Sequence, residues 1–158
     1  MELYKMKKMP PIEKIYEAYS AIADGRVTLN EDSAKVVSSN GEKQYIVTWK
    51  NGVYTSNDNA SYWQGYAGYP MIAVLMLQGK LTLNRDIAYC FKGINWTELN
   101  KKYKAKYAKA VEEILDGLKE KDIDCNEISL EVKKVYRQIE ELEINCKRSS
   151  IRPPANKN

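Results

Sequence analysis

Two groups of side chains in this sequence have the types and spacing to do chemistry, and both point to recognition of a ligand. The first fills residues 54–69, Tyr-Thr-Ser-Asn-Asp-Asn-Ala-Ser-Tyr-Trp-Gln-Gly-Tyr-Ala-Gly-Tyr. After Tyr54 it carries Tyr62, Trp63, Tyr66 and Tyr69, with the amides Asn57, Asn59 and Gln64 and the carboxylate Asp58 among them. Aromatic faces supply contact area while amides read hydrogen-bonding edges, a combination suited to nucleobases, sugars or extended peptide. Gly65 and Gly68 let the backbone approach a ligand closely. The competing reading is an ordered Asn-rich turn whose amides serve their own backbone while the rings plug the core.

The second group is Lys101, Lys102, Lys104, Lys106 and Lys109, in a stretch (residues 99–111) that holds no acidic residue. Unbalanced ammonium groups can neutralise phosphates, with an affinity that falls steeply as salt rises. A solvated helix face is the plainer account. Tyr103 and Tyr107 lie between these lysines in the chain, but their spacing assigns them to the buried stripe of the helix. A basic end with Lys147, Arg148, Arg152 and Lys157 could add further phosphate contacts.

Other chemistries are poorly provided for. Histidine is absent, which removes the commonest general base at neutral pH and the commonest metal ligand. The phosphate-cradling G-x-x-x-x-G-K-[ST], the dinucleotide G-x-G-x-x-G after a strand and the nucleophile elbow G-x-S-x-G are all missing. The expectation is therefore a non-enzymatic protein without a metal or cofactor. Asp58 would serve as a catalytic base only if it lined a cleft beside a second titrating group. Cys90, Cys125 and Cys146 are far apart and odd in number, which argues for free thiols in a reducing compartment. A net charge of +4 permits an acidic partner without requiring one.

The elements that must position these groups can be read from periodicity. A chain of 158 residues is the size of one domain. After Pro10-Pro11, apolar residues from Ile12 to Ala23 recur at helical spacing and Gly25 stops the helix. Strands follow at 26–29, 34–38, 43–49 and 53–56. Asn40-Gly41 and Asn51-Gly52 both read as two-residue hairpin turns, because Asn and Gly tolerate positive φ. Pro70 opens an apolar helix through Gln78 that is predicted to pack on the strands. Asn84 caps a short helix, and Asn95 or Thr97 starts a long one to about Leu118. A last helix, 126–146, carries an apolar seam from Ile128 to Cys146 and is predicted to form an antiparallel hairpin with the one before it. The fold class is α+β, a small antiparallel meander packed on helices, in one domain over 1–146 with a flexible basic tail at 147–158. No apolar run is long enough to cross a bilayer, so a cytoplasmic protein with no membrane partner is expected. Abundant Tyr, Lys, Glu and Ile give a thermophile-like composition.

Residues 36–79 resemble a SWIM-type zinc-finger module. Val37-Ser-Ser-Asn-Gly41 leads to Tyr45-Ile-Val47, then Val53-Tyr54-Thr55, a polar loop, and Gly68-Tyr-Pro-Met-Ile-Ala-Val-Leu75. That family has a strand hairpin, a C-x-C pair, a loop, and a C-x-H pair opening an apolar helix. Here the first pair falls on Ser56 and Asp58 and the second near Gly68 and Pro70, so the resemblance implies a metal-free relative. It also implies a nucleic-acid- or protein-binding module. Together these readings predict binding of DNA or RNA through the aromatic loop and the lysines. The alternative is an adaptor that buries the loop or the helical seam against another protein or its own copy.

Overall fold

The computed structural model describes residues 8–155, so the basic leader before Lys8 and the predicted tail contact Lys157 lie outside the described residues. Helix α1 covers Lys14–Ala23. Gly25 takes φ 68° just past its end. The N–H groups of Gly25 and Arg26 then donate to the carbonyls of Ile22 and Ala21 at 3.0 and 2.9 Å. This left-handed cap fixes where Arg26 leaves the helix. Every residue from Lys14 to Ala21 is buried, so α1 has no solvent face in that stretch.

The chain then forms the predicted meander, β1 Val27–Leu29, β2 Ser33–Val37, β3 Gln44–Lys50 and β4 Val53–Ser56. The Asn51-Gly52 turn behaves as expected: Lys50 pairs with Val53 and both turn residues have positive φ, 52° and 76°. The Asn40-Gly41 turn does not. Val37 pairs with Gln44, which leaves a longer loop, and among these two residues only Gly41 has positive φ. Asn40 instead accepts hydrogen bonds at Oδ1 from Ser38 Oγ and Glu42 N–H, holding the loop through its side chain.

Helix α2, Tyr69–Leu77, is buried from Pro70 to Met76 and touches α1 and strands β1, β3 and β4. Burial all round follows from a sequence that is apolar all round. After α3 (Arg85–Tyr89), the single long helix predicted for 95–118 is broken in two. Helix α4 is Trp96–Lys102 and α5 is Tyr107–Glu120, with Lys104 and Ala105 between them at positive φ, 51° and 62°. The last helix, α6, ends at Glu141 and touches α1 and α5, burying Ile128, Val132, Val135 and Ile139. Cys146 is therefore not on its seam. It belongs to β5, Asn145–Cys146, which adds to the sheet edge parallel to β4. The result is a five-stranded sheet in the order β1-β2-β3-β4-β5 with helices around it, an α+β fold.

The chain at the start of the predicted tail is held in place. Lys147 N–H donates to the Tyr54 carbonyl at 2.9 Å, and Asn57 Nδ2 donates to the Arg152 carbonyl at 3.2 Å. Ser149 is buried.

Buried Ser20 joins α1 to the segment that precedes and opens α4. Its hydroxyl donates to the Phe91 carbonyl at 2.5 Å and accepts from Trp96 Nε1 at 2.7 Å. Substituting Ser20→Ala leaves two buried polar groups unpaired and should destabilise the fold by about 1–3 kcal/mol. A urea midpoint equal to that of the wild type would remove this node from the account.

Candidate functional site

One cleft of about 470 Å³ collects side chains from α1, the meander, the polar loop and the α4–α5 corner. Its floor is the first turn of α1, with Lys14 and Glu17. One wall is the polar loop, through Asp58, Asn59, Trp63, Tyr66 and Tyr69. Another wall comes from the α4–α5 corner, through Trp96, Thr97, Asn100 and Tyr107, and Arg26, Ser38, Ser39 and Tyr45 complete the lining. Two parts of the lining are tied together. Ser39 Oγ accepts from Thr97 N–H at 3.2 Å, so the β2–β3 loop is clipped to the start of α4.

The charges in the cleft are arranged in pairs. Lys14 Nζ lies 3.1 Å from Glu17 Oε2 and 4.0 Å from the centre of the Tyr107 ring. Oε2 of Glu17 is in ion-pair contact but has no well-angled hydrogen bond. Glu17 Oε1 accepts from Asn100 Nδ2 at 3.0 Å. Burial pulls the Lys14 pKa down, but the Glu17 carboxylate and Tyr107 outweigh it and hold the pKa above the usual lysine value. Arg26 pairs with Asp24 at 3.1 Å and donates to the Val37 carbonyl at 2.6 Å. Tyr45 and Tyr69 meet edge to face with centroids 6.2 Å apart. Burial, reinforced by the Asp58 and Glu17 carboxylates, pushes the Tyr45 hydroxyl up to about 12.

The polar loop is partly a binding wall and partly architecture. Residues Ala60–Gln64 form a single π-helical turn that ends at Gly65 with φ 75°. It carries Trp63 outward, 61% exposed at the rim, while Tyr62, Tyr66 and Tyr69 are half-buried. Asn59 and Gln64 are also exposed at the rim. Asn57 points away from the cleft. Its Oδ1 accepts from Ile46 N–H at 2.7 Å, which makes it a link between the loop and the sheet. Tyr62 packs on Trp63 and lies with it under the Arg148 guanidinium, 4.9 and 5.8 Å from the two ring centres.

Asp58 lines the cleft, near Tyr45 and Tyr66, yet both of its oxygens are engaged. Oδ1 accepts from the Ser56 hydroxyl and Oδ2 from Ser61 N–H at 3.1 Å. A Cβ on Gly68 would fall 1.9 Å from Asp58 Oδ2, so only glycine permits this approach. Ser56, Asp58 and Gly68 therefore meet around one carboxylate. Among the described residues no group of three His, Cys, Asp or Glu side chains is placed to hold a metal ion.

The lysines take a different place from the one expected. All five are exposed, and none of them lines the cleft. They do not share one helix, because Lys104 and Lys106 sit in the break between α4 and α5. Lys102 is not unbalanced either: it pairs with Glu113, which also accepts from the Tyr103 hydroxyl at 2.8 Å. Tyr107, assigned by spacing to the buried stripe, faces the cleft instead. Sequence reasoning missed Lys14, Glu17 and Arg26 altogether. The available signal was Ala18, Ser20 and Ala21, small residues opposite the apolar stripe of α1, which mark a helix packed on more than one side.

A family model described as uncharacterised conserved protein UCP014422 matches residues 7–145. The chain belongs to that family. No curated protein and no solved structure matches it. In this UCP014422 protein the matched stretch contains every residue that lines the cleft, from Lys14 to Tyr107, and stops before Arg148. Among the described residues no helix is long and apolar enough to cross a membrane.

Substituting Gly68→Ala should cost about 1–3 kcal/mol through the clash with Asp58, with no backbone strain because φ is −74°. A denaturant midpoint within error of the wild type would show that the carboxylate has room to move. Tyr16 and Tyr45 are both pushed up to about 12, chiefly by burial. A tyrosine held neutral in the fold but free to ionise near pH 10 when unfolded contributes stability that is present below pH 10 and lost as pH rises towards 12. Spectrophotometric titration should therefore show a set of tyrosines ionising late, with stability falling above pH 10. Uniform ionisation of all twelve near pH 10 in the folded protein would contradict this.

Proposed function

We propose that this protein is a non-enzymatic module that binds single-stranded nucleic acid. The carrying observation is that the aromatic loop and the α4–α5 corner, separate in sequence, line one cleft. Trp63 stands exposed at its rim, where a base can stack, and exposed Lys101 and Lys106 flank the cleft residues Asn100 and Tyr107 in the chain. A concave site of this kind suits a base that has left its stack, which favours a single strand over a duplex. The lysines then follow the sugar-phosphate backbone outside the cleft.

The titrating groups favour binding over turnover. Lys14 is held protonated, and Tyr45, Tyr66 and Tyr69 are all raised, chiefly by burial, so each keeps its resting protonation state near neutral pH. The SWIM-like reading of residues 36–79 belongs to the same proposal. Its support is the meeting of Ser56, Asp58 and Gly68, with a hydrogen-bonded carboxylate where a metal would otherwise give the loop its order. Free Cys90, Cys125 and Cys146 suit action in the reducing cytoplasm.

Fluorescence anisotropy with single-stranded DNA and RNA at low salt tests the proposal. Trp63→Ala should weaken binding by about 1–3 kcal/mol while leaving stability within about 0.5 kcal/mol, because the ring is exposed. Each of Lys101, Lys104 and Lys106 changed to Gln should reduce the slope of log affinity on log salt by about 0.7 if it meets a phosphate. No binding of either nucleic acid at low salt ends this reading.

A further inference from the structure

We infer that the cleft receives an uncharged hydrogen-bonding ring, a nucleobase with its sugar, and keeps phosphate out of its interior. The inference rests on the binding role proposed above and specifies which part of the strand enters. Its ground is the contrast between committed and uncommitted groups in the lining.

Every charged side chain there already has partners. Lys14 is taken by Glu17 and by the face of Tyr107. Arg26 is taken by Asp24 and the Val37 carbonyl. Asp58 is taken by Ser56 and Ser61. The cations Lys14 and Arg26 are matched by the anions Glu17 and Asp58, so the lining carries no net formal charge. A phosphate inside would lose its hydration next to two carboxylates and find only cations that are already paired, which is unfavourable in a partly dry site; exposed Lys8, bonded to Gln64 and set over Tyr66, is not part of the lining.

Some neutral groups of the lining are committed too, Ser39 with Thr97 and Trp96 with Ser20 among them, but others are in the opposite state. Among the described residues the amide of Asn59, the Oδ1 of Asn100, and the hydroxyls of Tyr45, Tyr66 and Tyr107 make no side-chain hydrogen bond. Asn100 is oriented by the bond from its Nδ2 to Glu17, which leaves its oxygen as an acceptor of fixed direction. Donors and acceptors set between aromatic faces are what the edge and face of a base require. A volume of about 470 Å³ has room for a sugar as well, since pockets for small ligands run from about 300 to 1,000 Å³.

The test is titration of the full chain with the four ribonucleosides, their 5′-monophosphates and inorganic phosphate, followed by tryptophan fluorescence and by NMR shifts. The expected result is saturable binding of at least one nucleoside. Its affinity should stay within about threefold on adding the 5′-phosphate and on moving from low to moderate salt. Asn59→Ala should weaken that binding by about threefold to tenfold at an unchanged unfolding midpoint, the worth of one hydrogen bond. Inorganic phosphate should neither saturate nor displace the nucleoside. The inference is overturned if no nucleoside saturates, if the monophosphate binds more than about tenfold tighter with loss at higher salt, or if phosphate competes. An oligonucleotide that binds while no nucleoside does would refute the inference and leave the binding role to the lysines. Nucleosides that bind while oligonucleotides do not would refute the role and leave the inference standing.

Discussion

Helix α1 is buried along its first two turns, and Lys14 and Glu17 are buried with it. Two opposite charges withdrawn from water must neutralise one another at close range, since an unpaired buried charge costs several kcal/mol. The cleft is built around that requirement. Tyr107 covers the ammonium group with its ring face and Asn100 donates to the carboxylate, so the α4–α5 corner is drawn to the floor of the site. A buried pair of this kind seldom stabilises a fold more than apolar residues of similar size would. Its consequence for the cleft is an oriented amide, because Asn100 is held by the bond from its Nδ2 to Glu17.

The surrounding framework has few degrees of freedom. Ser20 ties α1 to Phe91 and Trp96, Ser39 ties the β2–β3 loop to Thr97, and Asp24 Oδ1 accepts from Gly93 N–H at 2.7 Å. Each bond joins residues more than 50 positions apart in the chain, and together they fix the wall formed by α4. The wall formed by the loop is supported from behind. Asn57 anchors the loop to Ile46 and to Arg152, and Arg148 lies over Tyr62 and Trp63. The chain after β5 thus backs the aromatic loop, and Trp63 stands between the cleft on one side and this strap on the other.

Much of the framework was legible in the residues themselves, and the candidate site only in part. The strands, the Asn51-Gly52 turn and the apolar helix α2 come out close to where periodicity and turn chemistry put them. Of the residues in the polar loop, Asn59, Trp63, Gln64, Tyr66 and Tyr69 line the cleft, Asp58 is engaged there by its own loop, and Asn57 serves the sheet instead. The lysines were noticed for their charge, yet the groups that enter the cleft from that segment are the neutral ones between and before them, Thr97, Asn100 and Tyr107. The break at Lys104 and Ala105 explains the difference. Neither residue favours positive φ, so nothing in their local chemistry announces that the helix stops and turns Tyr107 inward.

What the sequence determined by itself is whatever depends on neighbours within a few positions. The Asn51-Gly52 turn, the proline in the first turn of α2, the glycine cap after α1 and the alternation of the strands are of this kind, because backbone sterics and side-chain period act locally. The absence of histidine, and with it the commonest base and metal ligand, is likewise a property of composition alone. Tertiary structure decided the rest. It brought Lys14 and Arg26 into the cleft, bent the chain between α4 and α5, gathered Ser56, Asp58 and Gly68 around one carboxylate, and laid β5 along β4. Each of those outcomes is set by which distant surfaces must exclude water together and which buried charges must find partners. No window of sequence contains both halves of that requirement.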